Sequence, residues 1–156
     1  MLSSHQLSIC FLSLVVFSFL YSAITKLSPI LHAQGHKSMV EGYHCYIHAH
    51  PLAWVGYKVD ADYYRLRIAL LEFVSLASLF VPSRGLNRTG LVMLLLVIIG
   101  GIHSNIYCKQ MFAVIPKCIV GVALMGHIYF KNHAVVSSDL KSKTNWKYLR
   151  LMYFVP

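Results

Sequence analysis

The sequence has 156 residues, of which 57% are hydrophobic and only 12% are charged, and its mean hydropathy is +0.60. Soluble domains are about 45–50% apolar and about 25% charged, so this composition excludes an ordinary soluble domain and predicts a membrane protein. The formal net charge of +9 is not concentrated in a basic run with interleaved aromatic residues, so no nucleic-acid partner is predicted. We expect the basic loops and tail to meet the headgroups of the lipid bilayer.

The first 25 residues contain no Lys, Arg, Asp or Glu, and residues 7–25 form an apolar run of about membrane-spanning length. We interpret this run as a retained first span. A cleaved signal peptide is the alternative, but it would begin with a basic region and its apolar part would be about 7–15 residues long. Lys26 follows the run and is expected to extend its ammonium group to the headgroups, and Pro29 prevents the helix from continuing.

The segment from residue 30 to residue 64 is too polar to cross the membrane. Its apolar residues recur at spacings of three and four, which predicts an amphipathic helix that lies in the membrane interface and ends at Pro51. Gly56 and Tyr57 then mark a turn, and Asp60 or Asp62 can cap the next helix. The residues of the predicted apolar face are Met39, Val40, Tyr43, Tyr46 and Ile47.

Three further apolar runs follow, and we predict spans over residues 65–82, 89–108 and 111–130. Pro82 ends the first of these runs, and Pro116 lies in the first turns of the last. The predicted fold is all-α: an integral membrane four-helix bundle within residues 1–130, with an amphipathic interfacial helix between spans one and two. Residues 131–156 form a short basic tail. Gly100 and Gly101 in the third span predict a close crossing with another helix.

The distribution of basic residues predicts the orientation of the bundle, because cytosolic loops carry an excess of Lys and Arg. With four spans, both termini lie on the same side as the loop between spans two and three. That loop and the tail are rich in basic residues, so we predict cytosolic termini. The sequon at Asn87 would then face the cytosol close to the membrane, and we expect it to be unmodified. The basic residues are Arg84, Arg88, Lys131, Lys141, Lys143, Lys147 and Arg150.

The residue that raises the question of function is Glu72, which lies in the middle of the second span. A carboxylate at that depth costs about 2.5–3.5 kcal/mol on insertion scales, so it usually faces protein or water. Ala69 and Ser75 share its helix face and are small, which allows a neighbouring helix to approach. Two interpretations stay open: a structural carboxyl group bonded within the bundle, or a group that exchanges a proton or contacts a ligand or client helix.

His103 in span three is the candidate partner of Glu72. By helix rise, His103 lies roughly 21 Å from the cytosolic end of its span, and Glu72 lies roughly 15 Å from the opposite end of its own. Because the core is about 30 Å thick, Glu72 also lies about 15 Å from the cytosolic end of its span. The two depths therefore differ by about 6 Å, a gap that helix tilt or the choice of rotamer can close. The alternative is that His103 bonds to a backbone carbonyl or to Asn105. We predict Glu72, His103 and Ser75 as intramembrane polar contacts, and no catalytic residue.

Signals for other sites are weak. Two pairs of histidines have the i, i+4 spacing that metal sites use, but few acidic residues lie nearby, so we interpret them as a solvated face and predict no metal and no cofactor. Cys45 and Cys108 can reach the same non-cytosolic side, and the sequence leaves open whether they are free or paired. Cys10 and Cys118 lie in apolar runs and are expected to be buried thiols. The histidine pairs are His32 with His36 and His44 with His48.

Several short patterns follow one another along residues 16–130. They are Lys26-Leu27-x-Pro29, Pro51-Leu52, Gly56-Tyr57, Asp60, Leu71-Glu72, Pro82 and Ile115-Pro116, with His103 near the end of span three. In their order and spacing they resemble the DoxX-like family of small four-helix membrane proteins, and within it the transmembrane protein 35 group, which includes a chaperone of acetylcholine receptors. The short basic tail departs from that receptor chaperone.

This resemblance implies a non-enzymatic protein of the endoplasmic reticulum membrane. It implies a chaperone or assembly factor for receptor and channel subunits, in particular those of the acetylcholine-receptor type. Two alternatives stay open: a redox or quinone-linked membrane subunit, as in the wider DoxX-like family, and a small proton-linked transporter that uses Glu72.

Overall fold

The computed structural model describes residues 3–50, 53, 55–56 and 58–132, and within them it contains five long helices and no strand. The predicted all-α class is confirmed. Pro51, Tyr57 and the predicted tail from residue 133 onward lie outside the described residues. The helices are α1 (Ser4–Leu27), α2 (Ala33–Ala49), α3 (Ala61–Phe80), α4 (Arg84–Tyr107) and α5 (Met111–Asn132), and the first turn of α5 is a 3-10 helix.

Local signals set the ends of these helices. The carboxylate of Asp60 caps α3 by accepting a hydrogen bond from the N–H of Tyr63 at 2.8 Å. Gly56, in the connection before α3, has a φ of +82°, which residues with a Cβ rarely adopt. Pro29 and Pro82 lie in the exposed turns that follow α1 and α3, where their rings prevent the helices from continuing.

Four of the helices share one hydrophobic core. α1, α3, α4 and α5 each contribute buried side chains, and Val15, Leu94 and Leu124 at its centre are 0% exposed. In a bilayer, close van der Waals packing of such side chains holds the helices together, because lipid tails are as apolar as the core and apolar burial gives little driving force. The core residues are Val15, Phe19, Leu76, Leu79, Leu91, Leu94, Ile98, Ala123 and Leu124.

Three helices, α1, α4 and α5, are long and apolar enough to cross a membrane, which fits the predicted integral membrane protein. α3, the predicted second span, is 20 residues long but is not among the three. Its four charged residues lower its mean hydropathy, although it packs directly against both α1 and α4. Those charged residues are Asp62, Arg65, Arg67 and Glu72.

α2 lies across the end of the bundle where α1 and α4 end and α3 begins. Its predicted apolar face is turned inward: Tyr43 is 5% exposed, and its ring packs edge-on against the ring of Tyr64 in α3, with centroids 5.7 Å apart. On the α1 side, Nδ1 of His36 donates a hydrogen bond to the carbonyl oxygen of Thr25 at 2.6 Å. α2 therefore acts as a cover for this end of the bundle.

The close helix crossing involves a different glycine from the predicted pair. A Cβ on Gly90 of α4 would lie 1.9 Å from the hydroxyl of Ser78 and 2.8 Å from a backbone carbonyl of α3, so glycine is what allows these helices to approach. The prediction for Gly100 was wrong, because in the described part of the chain nothing lies within 4 Å of its ideal Cβ position. Gly101 makes room for the side chain of Lys117, which lies 3.1 Å from the corresponding position.

Asn87, the residue of the sequon, joins α3, α4 and α5. Its Nδ2 donates a hydrogen bond to the carbonyl oxygen of Leu79 near the end of α3 at 2.8 Å, and its Oδ1 accepts one from Lys131 at 2.9 Å. The last carbonyls of a helix lack partners within the helix, so Asn87 satisfies one of them from the first turn of α4. Nδ2 is also the atom to which a glycan would be attached, and here it is already engaged.

We expect Asn87 to be unmodified and Asn87→Ala to lower the free energy of unfolding by about 1 kcal/mol, since it removes a hydrogen bond to the end of α3. Thr89→Ala is the matched control, because it destroys the sequon and keeps the Asn87 side chain. It should change neither the electrophoretic mobility nor the thermal unfolding temperature. An endoglycosidase-sensitive mobility shift that disappears in Thr89→Ala would contradict this prediction.

Candidate functional site

A buried ion pair joins α1 to α3 beneath α2. The ammonium group of Lys26 lies 2.6 Å from both carboxylate oxygens of Glu72. The two residues are only 7% and 2% exposed. Removing two charges from water is unfavourable, so a buried pair persists only with close geometry and additional hydrogen bonds. Glu72 is thus bonded within the bundle, and the cation that meets it is Lys26.

The side chain of Lys26 points away from the headgroups that the sequence predicts as its surroundings. Side chains on a helix lean toward its N-terminus, and near the end of α1 this direction leads into the bundle. The hydroxyl of Ser22, one turn earlier, accepts a third hydrogen bond from the ammonium group at 2.7 Å. The prediction that Lys26 extends outward was wrong, because the carboxylate of Glu72 offers the ammonium group a charged partner inside.

α3 also holds the end of α1 through its backbone. The guanidinium of Arg65 donates a hydrogen bond to the carbonyl oxygen of Lys26 and another to the carboxylate of Asp62, the latter at 2.9 Å. A cation at the C-terminus of a helix compensates the partial negative charge of its unpaired carbonyls. Two residues of α3, Arg65 and Glu72, therefore fix the last turn of α1.

A second ammonium group enters the same region from α5. Nζ of Lys117 donates a hydrogen bond to the carbonyl oxygen of Gly101 at 3.1 Å and lies 5.7 Å from the centre of the Tyr46 ring. Its charge also interacts with the charges of Lys26 and Glu72. We call Lys26, Glu72 and Lys117 the charge cluster. It contains two cations and one anion.

Tyrosines on the inner face of α2 cover the charge cluster. The rings of Tyr43 and Tyr46 meet edge-on with centroids 5.2 Å apart. Burial, with a further contribution from the negative charge of Glu72, raises the pKa of Tyr43, and burial raises the pKa of Tyr46. Both phenols are therefore neutral at physiological pH, and the hydroxyl of Tyr46 donates a hydrogen bond to Oδ1 of Asn105 in α4.

A disulfide between Cys45 and Cys108 fastens α2 to the end of α4, with Cα atoms 6.1 Å apart. Of the two states that the sequence leaves open, the structure has the paired one. The adjacent residue, Tyr46, reaches the same end of α4 and also lies 2.8 Å from the side-chain oxygen of Gln110. The cover is therefore held by one covalent bond and by the hydrogen bond from Tyr46 to Asn105 next to it.

The other two cysteines, Cys10 in α1 and Cys118 in α5, are exposed thiols. The prediction that they are buried was wrong. An apolar run shows that a thiol has apolar neighbours along the helix. It does not show whether the thiol faces the core or the outside, because both surfaces of a membrane helix are apolar.

Of the three predicted polar contacts, Glu72 and Ser75 lie inside the bundle, each 2% exposed, whereas His103 is exposed on the outer side of α4. The predicted contact between Glu72 and His103 is not formed, and the alternative partner, Asn105, is bonded to Tyr46 instead. Helix rise compares only the depths of His103 and Glu72, and depth does not give the direction in which a side chain points.

The paired histidines have separate roles in α2. Nδ1 of His32 accepts a hydrogen bond from the N–H of Gly35 at 3.0 Å and so caps the helix, while His36 bonds to α1. His44 and His48 are exposed. Among the residues that the structure describes, no group of three or more His, Cys, Asp or Glu side chains is placed to hold a metal ion.

Comparisons with protein-family models, with curated proteins and with solved structures gave no match. The contacts that define the site are a buried ion pair, a second ammonium group, neutral tyrosines and a disulfide that holds their cover in place.

Sequence reasoning missed Lys26 and Lys117 as members of the site. One signal could have found them, because a carboxylate in an apolar span needs a cation. Lys26 at the end of the first apolar run and Lys117 in the first turns of the last were among the candidates on the same side as the start of span two.

Proposed function

We propose that this chain is a multi-pass membrane protein that assists the assembly of other membrane proteins and catalyses no reaction. Its clients are receptor or channel subunits of the acetylcholine-receptor type, as the sequence resemblance implies. The observation that carries the proposal is an outward face of α4 that has the features of a helix-docking surface.

The exposed residues of α4 recur at spacings of three and four and form one stripe, which we call the α4 outer face. Its aliphatic members are about half exposed: Leu96 is 56% and Ile99 is 54% exposed. His103 is its polar side chain, and Gly100 beside it leaves space for a second helix. Small residues with a hydrogen-bonding neighbour promote helix association in membranes, where apolar burial alone gives little driving force. The residues of this face are Val92, Leu96, Ile99, Gly100, His103 and Ile106.

The charge cluster supports this face from inside the bundle and does not take part in the contact. Glu72 and Ser75 are too deeply buried to meet a client helix, so His103 is the residue that offers it a hydrogen bond. The ion pair between Lys26 and Glu72 joins α1 to α3, and the packing of Gly90 against Ser78 joins α3 to α4. A client therefore meets a surface whose geometry is fixed before binding, which reduces the entropy lost on association.

The proposal includes α3 as a fourth span, with both termini in the cytosol and α2 in the lumen of the endoplasmic reticulum. A helix of 20 residues is roughly 30 Å long, enough to cross the bilayer core. Two of its charged residues, Glu72 and Arg65, are bonded to α1 and do not face lipid. The disulfide from α2 to α4 supports the lumenal location, because disulfides persist in oxidising compartments.

The ion pair joins residues from two of the sequence patterns that carry the resemblance. Lys26 and Glu72 belong to two separate patterns on which the resemblance depends, and they meet in space although they are 46 residues apart. Asp60, from a third pattern, caps the helix that carries Glu72. Residues from three of these patterns therefore help to fix the end of the bundle beneath α2.

Gly100→Leu and His103→Leu test the proposed client contact. Each should lower the surface expression of co-expressed acetylcholine-receptor-type subunits by roughly 3-fold to 20-fold, the range expected for one interhelical contact in a membrane. Because a Cβ at Gly100 meets nothing in the described chain and His103 is exposed, neither variant should change the thermal unfolding temperature of the protein itself.

Val122→Leu is the control for these variants, since Val122 is 70% exposed on α5 and lies outside the α4 outer face. It should leave client expression unchanged. If Gly100→Leu and His103→Leu both assemble as many surface receptors as the wild type, the α4 outer face is a lipid contact and the proposal is wrong.

A further inference from the structure

The charge cluster contains more positive than negative charge. Both oxygens of Glu72 lie 2.6 Å from the ammonium group of Lys26. For Lys117, the hydrogen bond that the structure shows is to the carbonyl oxygen of Gly101, and the nearby ring is that of Tyr46. Neither of these carries a formal charge. Lys117 is partly buried, and a partly buried ammonium group without an anion beside it is less favourable than one in water.

A buried hydrogen-bond donor lies on the same side of α4. Asn105 is 0% exposed, its Oδ1 accepts from Tyr46, and its Nδ2 has no hydrogen-bond partner among the described residues. Asn105 lies one helical turn after Gly101, whose carbonyl oxygen accepts the hydrogen bond from Lys117 of α5. The amide of Asn105 and the ammonium group of Lys117 therefore lie along the same face of α4. A buried donor without an acceptor is unfavourable, because it loses its hydrogen bonds to water and gains none in return. Two donors at the junction of α2, α4 and α5 therefore lack an anionic acceptor.

We infer that Lys117 and Asn105 bind an oxyanion, either the headgroup of an anionic lipid or a small free anion such as phosphate. An oxyanion offers acceptors only, so it takes a charge-assisted hydrogen bond from Lys117 and a second hydrogen bond from Nδ2 of Asn105. Its negative charge balances the second cation of the charge cluster. The ring of Tyr46 bounds the site on the side of α2. This inference is independent of the proposed function, because it concerns the inside of the bundle and not the α4 outer face.

The position of Lys117 makes the site accessible to a lipid. Lys117 is partly exposed and lies six residues from the start of α5, about 9 Å by helix rise. On the turns around it, Phe112 is 91%, Ile115 is 58% and Ile119 is 56% exposed, and these apolar side chains offer a surface for acyl chains. An anionic headgroup near the boundary of the bilayer core is therefore within reach of the ammonium group.

The test compares thermal unfolding of the full chain in vesicles of phosphatidylcholine alone and of phosphatidylcholine with phosphatidylserine. Titration with inorganic phosphate in a nonionic detergent is the second arm. We expect phosphatidylserine to raise the unfolding temperature if the site takes a headgroup, and phosphate to do so if it takes a free anion.

Lys117→Gln should raise the apparent Kd for whichever anion stabilises the wild type by about 10-fold or more, the loss expected for one charge-assisted hydrogen bond. Lys109→Gln, the same change at an exposed lysine, should keep the response.

Asn105→Asp provides a second test, because it supplies the carboxylate from the chain itself with almost no change in shape. This variant should unfold at a higher temperature than the wild type in phosphatidylcholine alone, and it should lose the response to added anions. The inference is wrong if the wild type responds to neither phosphatidylserine nor phosphate. It is also wrong if Lys117→Gln or Asn105→Asp responds as the wild type does.

Discussion

Lys26→Met is expected to destabilise the protein by about 3–5 kcal/mol, because it leaves the carboxylate of Glu72 buried without its cation. Domains of this size are commonly stable by only about 5–15 kcal/mol, so this loss is a large share of the total stability. The second ammonium group, on Lys117, does not replace the first, since its hydrogen bond goes to the carbonyl oxygen of Gly101. The measurement is the free energy of unfolding in detergent, or the fraction that remains monodisperse on heating.

The double variant Lys26→Met/Glu72→Leu shows what the pair contributes as a unit. Replacing a whole buried ion pair by apolar side chains of similar volume is often neutral or stabilising by about 1–4 kcal/mol. The double variant should therefore recover most of the stability that Lys26→Met loses. A double variant as unstable as the single one would contradict this explanation, because the loss would then come from the packing of Lys26 and not from the unpaired carboxylate.

Lys37→Met is the matched control, since Lys37 is exposed on α2. Exposed charges contribute little to stability, so this variant should unfold like the wild type. If Lys26→Met also unfolds like the wild type, the carboxylate is satisfied without Lys26 and the charge cluster does not hold α1 to α3.

The helices could be predicted from the sequence because their positions depend on local properties of the chain. Apolar runs and the proline after α3 located the long helices, and the three- and four-residue spacing identified the face of α2 that turns inward. The largest error in a boundary concerns α4, which was predicted over residues 89–108 and begins at Arg84. Its polar first turn resembles a loop in composition, but Asn87 uses that turn to cap the end of α3.

The pairing of side chains could not be predicted, because it depends on how far each helix is shifted along its neighbour and on how it is rotated. Glu72 lies eleven residues into α3, roughly 16 Å by helix rise, yet it meets Lys26 one residue from the end of α1. α3 must therefore begin well beyond the end of α1. No local pattern in the sequence records that shift. The prediction for His103 failed for the related reason that helix rise gives a depth along the helix axis and no direction around it.

The pairing of the two cysteines was open for the same reason, and its effect on the cover is the last prediction. Cys45→Ser/Cys108→Ser should loosen α2 and leave the core of α1, α3, α4 and α5 folded. A disulfide that closes a loop with a sequence separation of 63 residues is worth about 4 kcal/mol in the chain-entropy description. Much of this stabilisation should act on α2, since the bundle keeps its shared core without it.

Hydrogen exchange measured helix by helix is the appropriate test, because elements of one protein open with different free energies. In the double serine variant, backbone amides of α2 should exchange faster by a factor of about 10 or more, while amides of α4 near Leu94 should keep their protection. Cys10→Ser/Cys118→Ser removes the two exposed thiols and should leave both regions unchanged. Unchanged exchange in α2 would show that Tyr46 and its hydrogen bond to Asn105 hold the cover without the disulfide. Faster exchange throughout the bundle would show instead that the disulfide supports the core, because the charge cluster beneath α2 then becomes hydrated when its cover opens.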